Sequence, residues 1–539
     1  METISLLWKN KRENVEHIDE VVLNDIGIMP LIEAAFPDEK QREFAKKRML
    51  ELVTQEENIK YRQEIFAELY ENTDLLEEME NAVEKLKIYE AIQSEHIVLD
   101  KKSSLLELTG KLNELRTYIE VILALDDCLK ERDLHAEGFL RIKELVSTVS
   151  KEKGFSELRD DIHDVMEEMS GYRSITLGLN LDAMLNIKEV VFLSVNDYTH
   201  QKKMPMLTRF GRFLQEAAVT GQGMEDGVVF MTTKADQTKQ DPVMKNLVQL
   251  MGRDVEKLTQ KMFGMLRNYV DLSGSSLVKL IPELHFYIGF AKFFQKAKAL
   301  GYPISMPEIK DSEQNRLQMK SCYNVKLLLD SEKEDIIKEK VEVVYNDFEL
   351  DERGKIFILT GPNSGGKTTY TQAVGGAILL AQQGLAVFAE EYKGSIFDKI
   401  FTHFPASEED TLYYGRLGEE SKRISAFMKH VTSKSFVFLN ETYSSTSFSE
   451  GMFLARDLLA ALQYKHASAI YNTHMHELAE NLEELNKEET ETRIDSLVMG
   501  RCEDGKRSYK VYRKQPEKNS YARDIALKYG VTYAQLIQD

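Results

Sequence analysis

Residues 361–368 read Gly361-Pro362-Asn363-Ser364-Gly365-Gly366-Lys367-Thr368 and satisfy the pattern G-x-x-x-x-G-K-[ST]. The chemistry of such a loop is phosphate binding. Glycines let backbone N–H groups turn inward around phosphate oxygens. A helix that opens at the end of the loop adds the positive end of its dipole. Lys367 neutralises charge on the β- and γ-phosphates, and the Thr368 hydroxyl can ligate Mg²⁺. With Thr369, these residues form the candidate ATP-binding loop.

Two further strand ends complete a reaction centre. The run SFVFLNETYSSTSFSEG places Asn440 and Glu441 at the end of a predicted strand, Ser435 to Leu439. Glu441 is the candidate catalytic carboxylate, orienting and activating a water. Asn440 stands where an Asp ordinarily supports Mg²⁺, and an amide carries no charge. A third predicted strand, Ser468 to Asn472, ends in Thr473-His474. His474 is the candidate sensor of the γ-phosphate.

These residues need a parallel sheet to hold them. From about residue 341, short apolar strands alternate with helical stretches, which predicts an α/β domain over 341–539. Residues 1–340 have a different texture. Glu39 to Gln93 and Ser103 to Met169 repeat apolar residues at three and four spacing, as in amphipathic helices. Leu105, Leu108, Leu112, Leu115 and Ile119 form one such stripe. Short strands are expected from Ser174, loops from Thr199 to Thr238, and helices again from about Asp241 to Leu300. The predicted class is therefore α and α/β, multidomain: a helical region with a short β-containing insert, then a P-loop ATPase domain.

Composition sets outer limits. The chain has 539 residues, enough for about three or four domains. Its net charge of −19 excludes a uniformly basic nucleic-acid coat but not a local basic patch. The cysteines, Cys128, Cys322 and Cys502, lie far apart and form no zinc-type cluster. The chain begins without an apolar leader, and no run approaches a membrane span. The expectation is a cytoplasmic protein with no membrane contact.

The motifs resemble those of the MutS family of DNA mismatch-repair ATPases, which are ABC-type. GPNSGGKTT is similar to the family's GPNMGGKST. Ser395 to Asp410 is similar to D-x-I-F-T-R-x-G-A-x-D. NETYSSTSFSEG, Asn440 to Gly451, is similar to DEIGRGTSTYDG with the same spacing. NTHMHEL is similar to ATHYFEL, and Ser520 to Val531 is similar to SYGLxVAxLAGVP. The resemblance implies a homodimer formed through ATPase domains, each site completed by a signature segment from the partner. That segment corresponds to GRLGEE, with Gly415 and Glu420, although the family's serine is missing. Ser444 also replaces the Arg of GRGTST. Slow or partner-stimulated hydrolysis fits these departures. The family's adenine-stacking aromatic maps near Tyr345.

The resemblance further implies a core and lever in residues 1–340, with a clamp-like segment at about 174–270. The family's mismatch-reading and connector domains are not recognisable, nor is a nuclease-like domain after the ATPase as in MutS2 proteins. Phe66-Ala67-Glu68 imitates the mismatch wedge but falls inside a predicted helix. Between Thr199 and Val270, eleven Lys/Arg stand against seven Asp/Glu. Lys202, Lys203, Arg209 and Arg212, interleaved with Phe210 and Phe213, are the candidate contacts to DNA, duplex or branched. The expected function is an ATP-driven conformational switch on structured or mismatched DNA. The alternatives are a remodelling module acting on a protein or ribosome partner, and a slow nucleotide-binding scaffold.

Overall fold

The computed structural model describes residues 4–10, 15–93, 105–170, 173–181, 183–184, 187–196, 198–199, 252–269, 275–312, 314–333, 343–362, 365–405, 415–486, 492–501, 507–516 and 530–537. Asn363, Ser364, Lys202, Lys203, Arg209 and Arg212 lie outside the described residues, as does most of the Ser520–Val531 motif.

A six-stranded sheet carries the site. Its strands are β1 (Ile356–Thr360), β2 (Lys399–His403), β3 (Ser435–Asn440), β4 (Ser468–Asn472), β5 (Ile494–Arg501) and β6 (Arg507–Arg513). Their order is β2-β3-β4-β1-β5-β6. The first five run parallel and β6 is antiparallel to β5. Helices α1 (Lys367–Gln382), α2 (Gly415–Met428) and α3 (Phe448–Tyr464) connect or cover them. Every residue of β1, β3 and β4 is buried, as near-continuous apolar runs in a covered parallel sheet require. The alternation anticipated after residue 341 is thus an α/β domain. A sequence-local cap starts α3: Ser447 accepts from the Glu450 N–H, and the Glu450 carboxylate accepts from the Ser447 hydroxyl at 2.8 Å.

The described chain divides into two compact units: residues 1–83, 131–143 and 279–539, and residues 84–130 and 144–278. This division differs from the boundary expected near residue 340. The physical reason lies at the C-terminal end of α1. Gln382 donates to the carbonyls of Val53 and Phe397 at 3.1 and 2.9 Å. Gln383 donates to Glu51 O at 2.7 Å and accepts from Arg62 Nη1 at 2.6 Å. Arg62 is fully buried, donates to Leu7 O at 2.8 Å and lies 4.6 Å from the Trp8 ring centre. The first helices are therefore part of the fold that carries α1. They pack through Phe36, Phe66, Phe290 and Phe294. Phe66 is wholly buried in the helix Glu56–Glu71, so the aromatic of the wedge-like triplet is a core residue, as its helical setting predicts.

The second unit holds the helices Leu105–Leu129 and Lys153–Ser170, an antiparallel hairpin (Ser174–Leu181 with Ile187–Asn196) and the helix Gly252–Leu266. Leu108, Leu112, Leu115 and Ile119 are buried, as their spacing predicts. Among the described residues, no helix is long and apolar enough to cross a membrane.

Gly384 tests the seam between α1 and the first helices. Its φ is +75°, and an added Cβ would collide with the Arg62 side chain and approach two backbone atoms at 3.0 Å. Left-handed strain and overpacking each cost about 1–3 kcal/mol. Gly384→Ala is expected to lower unfolding free energy by about 3 kcal/mol, read from the urea midpoint.

Candidate nucleotide-binding site

The loop between β1 and α1 has the strand–loop–helix context that the sequence demanded. Gly366 caps α1 at φ +95°, a conformation an L side chain adopts only at a cost. Gly361 passes so close to Met499 that a Cβ would lie 2.6 Å from the Met499 Cβ. The chain therefore reaches the helix start only with glycine at these two places. Lys367 is the first residue of α1 and is buried. Its Nζ folds onto the loop's own carbonyls, Gly361 O at 3.2 Å and Pro362 O at 3.5 Å. Burial lowers its pKa to about 8.

Parallel pairing places the other candidates beside it. Asn440 and Asn472 are register partners at the ends of β3 and β4. Thr368 Oγ1 donates to Asn440 Oδ1 at 3.2 Å, and Asn472 Nδ2 donates to the same oxygen at 3.0 Å. Thr371 Oγ1 in turn donates to Asn472 Oδ1 at 2.9 Å. The amide of Asn440 is thereby oriented oxygen-first toward Thr368. Asn472 was read only as a strand residue; its partner role depends on register across two strands.

Glu441 follows directly, in a left-handed conformation (φ 51°) with its N–H bonded to Asn472 O at 2.9 Å. Its carboxylate meets His474 Nε2 at 2.8 Å. The same Nε2 lies 3.4 Å from Lys367 Nζ. Glu441, His474 and Lys367 thus converge, as the three motifs anticipate. Behind them, His403 Nδ1 and Thr442 Oγ1 are 2.9 Å apart, and burial pushes the His403 pKa down to about 4, so the ring is neutral near pH 7.

A cavity of about 550 Å³ opens along the loop and the first turns of α1, from Gly365 to Tyr370 and Ala373. This is the size of a small-molecule site. Its lining also includes Tyr323, Val344, Asn346 and Tyr509. Tyr345 does not line it; that ring packs edge-on to Tyr323, 5.5 Å between centres. The tyrosines that do line it, Tyr323 and Tyr509, come from separate elements and were not legible in the sequence. Gly415 opens α2, and Glu420 on that helix accepts from the Tyr443 N–H of its own chain at 3.2 Å.

A glycine loop capping a buried helix, a lysine over it and a carboxylate at the end of a parallel strand one removed from the loop's own define a P-loop-type α/β domain. Residues 357–536 match the model of MutS domain V, and residues 54–300 match that of the MutS2 N-terminal domain. Two separate segments of the chain thus match models of MutS and MutS2 domains. The chain is 36% identical over 148 residues to the DNA mismatch repair protein MutS of Fusobacterium nucleatum, covering 27% of this chain and 16% of that one. Against MutS of Staphylococcus haemolyticus the identity is 28% over 225 residues, covering 41% and 24%. Against MutS of Listeria monocytogenes it is 34% over 143 residues, covering 26% and 17%. The matched segments therefore span no more than about a quarter of these relatives' length.

The lysine supplies a pH test. Lys367 is cationic below its pKa of about 8 and neutral above it. A bound polyphosphate raises that pKa, so affinity is full below pH 8 and falls above it. Binding of tripolyphosphate is expected to weaken about tenfold between pH 7 and pH 9. Titration calorimetry checks this, with Lys367→Arg expected to abolish the dependence.

Proposed function

We propose that this chain is a MutS-type ATPase that uses ATP binding and hydrolysis as a conformational switch on structured or mismatched DNA. The observation that carries the reading is the convergence of Lys367, Glu441 and His474 at one loop in a domain that matches MutS domain V. By motif rather than by compact unit, the same reading assigns the ATPase region to 341–539 and a helical core and lever to 1–340, with a clamp-like segment at about 174–270.

Lys367 exchanges its carbonyl partners for the β- and γ-phosphates, and the loop N–H groups from Gly361 to Thr369 cradle the same oxygens. The residues that would hold Mg²⁺ are Thr368 and Asn440, both presenting neutral oxygens, with negative ligands left to the phosphates. A bound Mg²⁺ supplies charge neutralisation on those phosphates. Glu441 orients the attacking water. His474 lies between Glu441 and Lys367, so a γ-phosphate entering there alters its contact to both. Two ATPase domains then close on each other, with the Gly415 end of α2 directed to the partner's nucleotide. Closure shifts the population of lever positions and so the grip on DNA.

The test is ATP turnover by the full chain with homoduplex, mismatched, four-way-junction and single-stranded DNA. Lys367→Ala is expected to abolish nucleotide binding. Glu441→Gln is expected to bind normally and to lose turnover about 100-fold or more. DNA stimulation lost in both variants supports the reading; turnover indifferent to every DNA moves it to a protein or ribosome partner. A second reading, a slow nucleotide-binding scaffold, is favoured by the neutral Asn440. Asn440→Asp keeps both hydrogen bonds to the carboxyl oxygen and adds a charge for Mg²⁺. A slow wild type that this variant accelerates supports the scaffold; equal ordinary rates exclude it.

Lys202, Lys203, Arg209 and Arg212 are the proposed DNA contacts. Replacing all four with Ala is expected to reduce the salt slope of duplex binding by about 3.6 in log–log terms. An unchanged slope places the contact elsewhere.

A further inference from the structure

The segment after Glu441 has an unusual backbone. Glu441 lies at φ 51° and Tyr443 at φ 64°, and neither is glycine. At Tyr443 the family motif carries its first glycine, DEIG against NETY. A tyrosine in left-handed conformation persists only where its surroundings hold it. Four ties do so. Glu441 N–H reaches Asn472 O at 2.9 Å. Tyr471 OH donates to Thr442 O at 2.7 Å. Thr442 Oγ1 meets His403 Nδ1 at 2.9 Å. Tyr443 N–H donates to Glu420 Oε2 at 3.2 Å. The first three partners stand on or beside neighbouring sheet strands and are buried. The fourth comes from α2, whose first residue, Gly415, begins the segment corresponding to the family's signature.

We propose that Glu420 is a positioning residue for hydrolysis within its own chain. Its carboxylate holds the left-handed Tyr443, and through it the direction of Glu441. Glu420 is the hydrogen-bonded point at which α2, which also packs here through Ile424, grips the segment after the catalytic strand, so a displacement of α2 is transmitted to the Glu441 carboxylate. This rests on the ATPase reading above and adds to it. The glutamate assigned to a partner-facing signature acts on its own site, and contact at α2 regulates turnover rather than nucleotide binding. Loss of glycine at 443 makes the tie necessary, because tyrosine has no intrinsic preference for that conformation.

The experiment compares full-length wild type with Glu420→Ala and Glu420→Gln. It measures kcat and KM for MgATP, the dissociation constant of a fluorescent ATP analogue, and amide hydrogen exchange in the peptide spanning 438–447. A glutamine oxygen accepts the Tyr443 N–H as the carboxylate does. Glu420→Ala is expected to lower kcat about tenfold or more, to leave the analogue's dissociation constant within about twofold, and to speed exchange in the peptide. Glu420→Gln is expected to restore most of kcat and the slow exchange.

Wild-type kcat in Glu420→Ala overturns the proposal. So does equal loss in both variants, because the charge rather than the acceptor then matters. So does parallel loss of nucleotide binding, which marks collapse of the site. If wild type itself lacks ATP turnover, the ATPase reading fails separately. Exchange then decides the tie: unchanged exchange in Glu420→Ala overturns it, and faster exchange reversed by Gln upholds it.

Discussion

Helix α1 is buried along nearly its whole length, and the rest of the architecture is arranged around that burial. Its N-terminal end borders the cavity, with Lys367 and Thr368 in the lining. Its C-terminal end carries two glutamines whose amides need partners once water is excluded. Buried amides without partners are costly, so the chain supplies Val53, Phe397, Glu51 and Arg62 to satisfy them. This requirement draws the first helices into the same compact unit as the sheet. It also makes α1 a stiff member with the phosphate loop at one end and the helical region at the other.

Electrostatics at the loop end are lean. Lys367 is buried on two carbonyls, with burial alone drawing its pKa down. At the position of Asn440 stands an amide, fixed by the Asn472 amide and the Thr368 hydroxyl, while Thr371 in turn holds Asn472. Neutral groups of this kind need no buried counter-charge. They also contribute less to a divalent cation than a carboxylate does, so the phosphates carry most of the attraction. Asn440 and Asn472 therefore form one unit: the second sets which atom the first presents.

Much of the ATPase end was legible because its signals are local. The loop and the two strand ends are each contained in a few consecutive residues, and their conformational demands are those of glycine, lysine and short apolar strands. Helical periodicity likewise announced the stripe Leu108 to Ile119. The division of the chain into compact units was not legible. It depends on hydrogen bonds between residues more than 300 positions apart, such as Arg62 with Gln383. The aromatics that line the cavity, Tyr323 and Tyr509, were not legible either, because they are brought together from separate elements.

By itself, the sequence determined which chemistry is present: a phosphate loop, a carboxylate with a histidine, and an asparagine in a metal-side position. These follow from residue type and short spacing, where backbone geometry leaves few choices. Tertiary structure alone decided how the pieces engage. Strand register paired Asn440 with Asn472, the return of β4 brought His474 between Glu441 and Lys367, and α2 turned Glu420 onto the backbone of Tyr443. Each is a contact across separate elements, set by the packing of the whole sheet and its helices, and no local pattern encodes it.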